Sequence, residues 1–402
     1  MDPNWRVLSG ENKWEGLLVD PIGDDFRRYI IHYGEMAQAT YDAYDSDENS
    51  ITGGNSKYAM DELFSQVGLG KGRAKKNYTI TKYLYTTAAF APFNKDTNWM
   101  GYVAVSTDQE TKEAGRRDIV VAWRGTNEES EWLNNVGILQ QPASEIFGDI
   151  GEDDIPSVHG GFYLIYTSNN SDSTFSKISV RDQVLKEVSR LVSIYKNETI
   201  SVVVTGHSLG GALTTLNAID IARNVFKNQD EDSNSNLVTA FAFASPRIGG
   251  PMLRDSAASL KNLHILRIEN KPDSVPDFPN IGYRDVGQLL FMDTEESEFL
   301  KRKGFIGSKG MAHNMEIYLH GVSGTQGVEK KFKKDVERDI SLVNKHGENL
   351  VDIYGVPIAW WDEVDKAGMV QMEDGSWKTK LIINKKKLVT KWWKFFLLFI
   401  CY

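Results

Sequence analysis

Cysteine is nearly absent from the sequence, which has only Cys401 among its 402 residues. One thiol cannot form a disulfide within the chain, and structural disulfides are typical of oxidising compartments. The first residues, MDPNWRVLSGENKWEG, also lack the basic start and apolar stretch of a signal peptide and the Arg-rich, Ser-rich character of a transit peptide. We therefore expect a cytoplasmic protein.

Long hydrophobic runs and an excess of basic residues are also missing. No run reaches the roughly 18 apolar residues that a spanning helix needs. The net charge of -9 disfavours nucleic acid as a partner, because phosphate binding needs a concentrated basic surface. If the protein acts on lipid, we expect it to make transient contact with the membrane rather than to reside in it.

The end of the chain differs in composition from the rest. Its last residues, KKKLVTKWWKFFLLFICY, are basic and then aromatic and apolar. This pattern is typical of an interfacial anchor, and an aberrant, poorly ordered terminus is the alternative interpretation. We predict a single domain over residues 1–380 and an atypical tail over 381–402.

The sequence TGHSLGG, from Thr205 to Gly211, is the motif with the clearest chemical meaning. It stands between the apolar run ISVVVT and a helical run that begins at Leu209. A buried strand followed by Gly-X-Ser-X-Gly and a helix is typical of a nucleophile elbow, whose glycines permit a turn that exposes the serine hydroxyl. Ser208 is therefore the candidate nucleophile.

Compact β-rich runs surround this motif. NWMGYVAVS and DIVVAW are separated by a polar stretch and are predicted to be adjacent antiparallel strands. A helix with Ser179 and Asp182 at its start precedes ISVVVT, and TAFAFAS and LHILRIE follow the elbow helix. This order predicts an α/β fold with a mixed, mostly parallel sheet and helices on both faces, and a site at the carboxyl ends of the strands.

Two further segments have less definite patterns. The segment SEWLNNVGILQQPASEIF, residues 130–147, fits either an ordinary surface helix or a mobile cover over a site. The polar stretch from Gln326 to Lys345 is predicted to be helical.

A serine nucleophile needs a base and an acid, which follow it in the chain in elbow hydrolases. Asp273, in NKPDSVP directly after the LHILRIE run, is the candidate acid, although such an aspartate can also form an Asx turn. Asp277 and Asp285 are more distant candidates.

Four histidines after Ser208 could supply the base. His264 lies inside an apolar strand and is interpreted as an interior residue, and His346 lies in a polar run. His313 and His320 flank NMEIYL, and the residues alone leave both possible.

The reaction also needs donors for the oxyanion that forms at the attacked carbonyl. The backbone N–H of Leu209, directly after the nucleophile, is the first candidate. The second is Thr126, after the DIVVAW strand, with its backbone N–H and its hydroxyl; a simple turn residue is the alternative.

Five motifs in order carry a family resemblance: DIVVAWRGT, VHGGFY, VTGHSLGGALTTL, FASPRIGG and NKPDSVPDFP. Together they resemble the class 3 lipases, which have the fungal triacylglycerol lipase form of the α/β-hydrolase fold. The N-terminal WEGLLVDPIGDDFRRYIIHYGEMAQATYDAYDSD and the later HNMEIYLHGVSGTQG are similar to the class II branch of the plant phospholipases A1.

The resemblance implies an acylhydrolase without metal or other cofactor that cleaves the sn-1 ester of phosphatidylcholine or related glycerolipids. It implies Ser208 as nucleophile, Asp273 as acid and His313 as base, with His320 as runner-up. It also implies that Thr126 is an oxyanion residue, that His159 in VHGGFY is structural and that the lid spans about residues 127–146.

Three alternatives remain on sequence grounds. A mono- or diacylglycerol lipase or a galactolipid lipase of the same fold would share these motifs, because acyl-chain pockets discriminate weakly. A non-catalytic lipase-like signalling scaffold would usually have a damaged triad, whereas every triad position here has a candidate. The oligomeric state is not indicated by the sequence.

Overall fold

The structure is a computed structural model that describes residues 4–47, 49–72, 77–87, 98–126, 139–148, 151, 154–226, 236–302 and 310–380. The predicted tail at 381–402 and most of the predicted lid, residues 127–138, lie outside these ranges. No helix within the described ranges is long and apolar enough to cross a membrane.

A seven-stranded sheet forms the centre of the fold, and two small ribbons complete the strands. The strands are β1 Tyr78–Thr86, β2 Asn98–Ser106, β3 Arg117–Trp123, β4 Gln140–Pro142, β5 Ser157–His159, β6 Ile200–His207, β7 Leu237–Phe243, β8 Leu263–Asn270, β9 Gln288–Met292, β10 Met369–Gln371 and β11 Trp377–Thr379. The central sheet has the order β1-β2-β3-β6-β7-β8-β9, and the ribbons are β4-β5 and β10-β11. The pairs β1-β2 and β2-β3 are antiparallel, and the four pairs from β3 to β9 are parallel.

Helices cover both faces of the central sheet. They are α1 Trp5–Leu8, α2 Asp24–Ala43, α3 Leu63–Gln66, α4 Asp108–Ala114, α5 Ser144–Phe147, α6 Gly160–Thr167, α7 Val180–Ile194, α8 Leu209–Asp220, α9 Pro251–Ser259 and α10 Met315–Gly324. The mixed α/β sheet and the antiparallel pairing of β2 with β3 confirm the fold predicted from the sequence.

Alternate residues of the sheet face two separate apolar cores, because successive side chains of a strand point to opposite faces. Ile119, Val121 and Trp123 of β3 pack with helices α6 to α9, whereas Val120 and Ala122 pack with α2 and α10. Burial on both faces explains the nearly continuous apolar sequences of the central strands.

The start of α7 forms as its sequence predicts. The Ser179 side chain accepts a hydrogen bond from the Asp182 backbone N–H at 3.1 Å, which satisfies one of the free donors of the first turn. Val184, Val188 and Leu191 of this helix are buried in the core.

The prediction of a helix from Gln326 to Lys345 is wrong. The only helical turn in this stretch is the 3-10 turn Ile340–Asn344. The residues before it run alongside the end of α10, where the backbone N–H groups of Lys333 and Asp335 donate to the carbonyls of Gly324 and Ser323. These tertiary contacts outweigh the local helix preference.

A buried cluster of charged side chains joins the C-terminal part of the domain to α2 and α10. Asp42 of α2 accepts hydrogen bonds from Lys345 Nζ at 2.5 Å and from His346 Nε2 at 2.7 Å. Glu316 of α10 pairs with Arg338 and with Lys345. Because α10 begins just after His313, this cluster also holds the segment that carries the candidate base.

The charge of His346 makes a stability prediction possible. Burial alone would lower the pKa of His346, but its hydrogen bonds with Asp362 and Asp42 raise it to about 9. The folded state therefore binds the proton more tightly than an unfolded histidine, whose pKa is about 6.5. This stabilisation is complete below about pH 6.5 and is lost as the pH rises towards 9.

We expect His346→Gln to lower the free energy of unfolding by on the order of 2 kcal/mol at pH 7.5, and by clearly less at pH 10. Urea unfolding of wild type and variant at both pH values measures the difference. His264→Gln is a matched control, because burial lowers the pKa of His264 to about 4 and leaves that ring neutral at both values. If His346→Gln lowered the free energy of unfolding equally at both pH values, the prediction would be contradicted.

Candidate active site

The Ser208 turn lies between β6 and α8 at the carboxyl edge of the sheet. Ser208 has φ 60° and ψ −125°, a conformation that costs a non-glycine residue free energy and lifts its side chain out of the turn. Its backbone N–H donates to the carbonyl of Phe243, the last residue of β7, at 2.9 Å. The strained turn is thus fixed by the neighbouring strand.

Two glycines allow the turn and its neighbours to approach closely. A Cβ atom on Gly210 would lie 2.4 Å from the carbonyl oxygen of Trp123, at the end of β3. A Cβ atom on Gly125 would lie 2.6 Å from the carbonyl oxygen of His207. The end of β3 and the residues just after it therefore pack directly against the chain on both sides of Ser208.

The structure brings Ser208, His313 and Asp273 together from three separate segments. His313 Nδ1 lies 2.7 Å from Asp273 Oδ2, and His313 Nε2 lies 2.9 Å from Ser208 Oγ. A carboxylate can only accept a hydrogen bond, so Nδ1 donates its proton to Asp273, and Nε2 is left to accept from the serine hydroxyl. All three side chains are buried.

Asp273 is held by two further donors. The backbone N–H of Val275 donates to Oδ1 at 2.9 Å, and the Tyr318 hydroxyl donates to Oδ2 at 2.6 Å. Burial and the charge of Asp273 raise the pKa of Tyr318 well above its usual value, so the hydroxyl keeps its proton. The carboxylate is thereby fixed in the orientation that faces His313.

Removal of the Tyr318 hydroxyl tests this orientation. We expect Tyr318→Phe to lower kcat about tenfold with little change in KM, because the variant loses a charge-assisted hydrogen bond but no substrate contact. Steady-state kinetics on a soluble ester and thermal melting check this. Tyr102→Phe removes an equally buried hydroxyl, which donates to the Met36 carbonyl rather than to Asp273, and serves as control. Equal kcat values for the two variants would contradict the role of the Tyr318 hydroxyl in orienting Asp273.

The other histidines have different surroundings. His320 Nε2 hydrogen-bonds Ser297 Oγ at 2.8 Å, and its ring stacks on Phe332. Burial, and then the charge of Arg338, lower the pKa of His320 to about 3. The His159 side chain caps α6 by accepting a hydrogen bond from the backbone N–H of Gly161. His264 lies in β8, and its ring packs edge-on against the ring of Trp14.

His207 and Tyr41 adjoin the site and were not singled out from the sequence. The His207 ring lies 4.7 Å from that of His313, centroid to centroid, and its Nδ1 lies 2.8 Å from the Tyr41 hydroxyl. Burial, and then the charge of His313, lower the pKa of His207 well below its usual value. His207 therefore stays neutral beside His313.

Both candidate oxyanion residues lie at the same edge. Leu209 is the first residue of α8, where backbone N–H groups are free of helix partners and the helix dipole favours negative charge. Thr126 is buried and directly follows Gly125, which packs against the backbone of His207. Their assignment as oxyanion donors stays a prediction.

No group of three or more His, Cys, Asp or Glu side chains in the described part of the chain is arranged as metal ligands would be. The strand-turn-helix at Ser208 on a mostly parallel sheet defines the class of the protein, an α/β hydrolase.

Comparison with known proteins identifies the family within this class. The family described as Lipase (class 3) matches residues 120–283. Phospholipase A1-IIbeta of Arabidopsis thaliana is 42% identical over 396 residues, which cover 95% of this chain and 94% of that protein. Phospholipase A1-II 3 of Oryza sativa subsp. japonica is 44% identical over 393 residues, which cover 93% and 92% of the two chains.

The chain belongs to the class 3 lipase family, in its plant phospholipase A1-II branch. Among solved structures, the Rhizomucor miehei lipase propeptide complex aligns with a TM-score of 0.44 at 19% identity, over 67% of this chain and 69% of that one.

Proposed function

We propose that the protein is a phospholipase A1 that cleaves the sn-1 acyl ester of phosphatidylcholine and related glycerolipids, with Ser208, His313 and Asp273 as its catalytic residues. The observation that carries the proposal is the continuous hydrogen-bonded path from Ser208 Oγ through His313 to Asp273, with distances of 2.9 and 2.7 Å. Such a path is what a hydroxyl needs to become a nucleophile at neutral pH.

In the first half of the reaction, His313 Nε2 takes the proton of Ser208 as Oγ attacks the ester carbonyl carbon. The carbonyl oxygen becomes an oxyanion, which the N–H of Leu209 and the N–H and hydroxyl of Thr126 stabilise. His313 then gives its proton to the glycerol oxygen as the ester bond breaks. The lysophospholipid leaves, and the acyl group stays on Ser208.

In the second half, water replaces the glycerol. His313 Nε2 accepts a proton from water, the resulting hydroxide attacks the acyl carbon, and the proton returns to Ser208 Oγ as the fatty acid departs. Asp273 keeps Nδ1 protonated and stabilises the imidazolium that forms in each half. The contacts of Val275 N–H and Tyr318 with Asp273 support this role, because they hold the carboxylate in place.

The substrate class rests on the relatives, which are named as phospholipases A1. An sn-1 preference and phosphatidylcholine as the headgroup are therefore proposals for this chain, as are transient contact with a lipid interface and a cytoplasmic location. The single cysteine supports a reducing compartment.

A lipid panel with positional analysis tests the proposal. Phosphatidylcholine with different acyl chains at sn-1 and sn-2, a galactolipid, a diacylglycerol and a monoacylglycerol are each incubated with the purified protein. We expect release of the sn-1 fatty acid and 2-acyl lysophosphatidylcholine, also when the residues after Lys380 are removed. Release of the sn-2 fatty acid, or hydrolysis of the neutral lipids alone, would refute the proposal.

A further inference from the structure

Arg124 is a buried arginine that directly follows β3 and stands two residues before Thr126. Only 2% of it is exposed. Burial lowers the pKa of Arg124, and no carboxylate among the described residues opposes this effect. A guanidinium nevertheless keeps its proton in proteins. The fold therefore holds a positive charge, without a carboxylate partner in the described part of the chain, beside a candidate oxyanion residue.

The Arg124 guanidinium is held by two backbone carbonyls. Nε donates to the carbonyl of Trp99 in β2 at 3.0 Å, and Nη1 donates to the carbonyl of Gly125 at 2.7 Å. The backbone N–H of Arg124 also donates to the carbonyl of Met100 at 2.8 Å. The side chain is therefore fixed between β2 and the turn that leads to Thr126.

The end of α2 covers this turn. The ring of Tyr44 lies over the guanidinium, with Arg124 Cζ 3.7 Å from the ring centroid. A Cβ atom on Gly125 would lie 2.0 Å from the Tyr41 hydroxyl oxygen, so the turn packs directly on α2. Because the surrounding protein excludes water from the guanidinium, its charge is screened less than a charge at the surface would be.

One peptide group connects Arg124 with the expected position of the oxyanion. The carbonyl that accepts from Nη1 belongs to Gly125, and the N–H of the same peptide group belongs to Thr126. This peptide bond is trans, so the two groups point in opposite directions. A hydrogen bond to the carbonyl polarises the peptide group and makes its N–H a stronger donor. Arg124 thus acts on the N–H that binds the oxyanion in the proposed reaction.

We propose that Arg124 is a positioning residue for the oxyanion site, because its guanidinium fixes and polarises the peptide group between Gly125 and Thr126. This inference rests on the proposed function, in which the Thr126 N–H stabilises the negative charge of the attacked carbonyl. A fixed donor beside a buried positive charge stabilises the charge that develops in the transition state more than it stabilises the neutral ester. Loss of the guanidinium should therefore lower kcat and leave KM nearly unchanged.

The substitutions that test this role separate the charge of Arg124 from its hydrogen bonds. Arg124→Gln is neutral but keeps an amide donor, and Arg124→Lys keeps the charge on a single ammonium group. Arg27→Gln is the matched control, since Arg27 is also fully buried but donates to the carbonyls of Ile22, Val322 and Thr325. Steady-state kinetics on a dissolved ester, inhibition by phenylboronic acid and the melting temperature are measured for each variant.

Phenylboronic acid reports on the oxyanion site separately from ester binding. The serine oxygen adds to its boron, and the tetrahedral adduct carries a negative charge, as the reaction intermediate does. A group that stabilises this charge must therefore affect the inhibition constant and kcat together, whereas a group with a purely structural role need not.

We expect Arg124→Gln to lower kcat roughly 10- to 100-fold, with KM within about threefold of wild type, and to weaken phenylboronic acid binding by a similar factor to kcat. This loss is smaller than the roughly 10²- to 10³-fold that removal of a whole oxyanion donor costs. Arg124→Lys should lie between wild type and Arg124→Gln. Arg27→Gln should lower the melting temperature but keep kcat and the inhibition constant within about threefold.

Several results would overturn the inference. These are an unchanged kcat in Arg124→Gln, an equal loss of kcat in Arg27→Gln, and a loss of kcat in either Arg124 variant without weaker phenylboronic acid binding. If Arg124→Gln does not fold, Arg124→Lys provides the same comparison, because kcat and the inhibition constant must change together in any folded variant of this residue.

Failure of the inference and failure of the proposed function are distinguishable in the wild-type protein. Wild type that neither cleaves an ester nor binds phenylboronic acid refutes the proposed function. Wild type that does both, while Arg124→Gln does so equally well, refutes only the role of Arg124. Wild type that cleaves the ester but does not bind phenylboronic acid also refutes this role, because a site that stabilises the tetrahedral anion must bind the adduct.

Discussion

Ser208→Ala is expected to lower kcat for ester hydrolysis about 10⁴-fold or more, with the fold unchanged. The variant lacks the hydroxyl that lies 2.9 Å from His313 Nε2 and that would attack the ester, so no acyl intermediate can form. The structural cost is the loss of one hydrogen bond, about 1 kcal/mol. Activity on a soluble ester and on phosphatidylcholine, together with the melting temperature, measures both effects.

A fluorophosphonate probe provides an independent readout of the same residue. Wild-type protein should be labelled covalently at Ser208, and the alanine variant should not. Ser208→Gly is an informative companion, because φ of 60° is unfavourable for serine or alanine but not for glycine. It should be as inactive as the alanine variant but at least as stable. Labelling or substantial activity without the Ser208 hydroxyl would place the nucleophile elsewhere.

The central sheet and the elbow could be predicted because each depends on a pattern within a short stretch of sequence. A strand buried on both faces is mostly apolar, as β6 and β7 are. Gly206 and Gly210 stand where close backbone contacts leave no space for a side chain. The order of motifs along the chain then indicates which candidates meet at the carboxyl edge.

The side chains that hold the catalytic segments in place, Tyr318 and Tyr41, could not be predicted in the same way. Tyr318 lies 45 positions from Asp273, and Tyr41 lies 166 positions from His207, so neither pairing leaves a local pattern. The Tyr41 hydroxyl reaches the elbow at His207, and hydrophobic periodicity carries no information about where a hydroxyl points.

The segment from Gln326 to Lys345 shows why a helix prediction can fail. Its composition suits a helix, but buried partners compete for its polar groups. Arg27 of α2, fully buried, donates to the carbonyl of Thr325 and to Asp335, and Arg338 pairs with Glu316 of α10. Ionic contacts with distant helices therefore decide the path of this segment, and they also connect it to the helix that follows His313.

The comparison of His313→Ala with His320→Ala distinguishes the two histidines that the residues alone left open. His313 lies between a serine hydroxyl and a carboxylate, whereas His320 hydrogen-bonds Ser297 and stacks on Phe332. A pKa of about 3 leaves His320 unable to hold a proton near neutral pH, which a general base must do transiently.

We expect His313→Ala to lower kcat about 10⁴-fold or more with little change in melting temperature. We expect His320→Ala to retain kcat within about threefold at low temperature but to lose about 2 kcal/mol of stability, because it leaves a cavity and a buried Ser297 hydroxyl without its partner. Steady-state kinetics and urea unfolding of both variants measure these effects. The reverse pattern, with catalysis lost in His320→Ala and kept in His313→Ala, would remove His313 from the mechanism, since a base that can be deleted without loss of rate is not the one that activates Ser208.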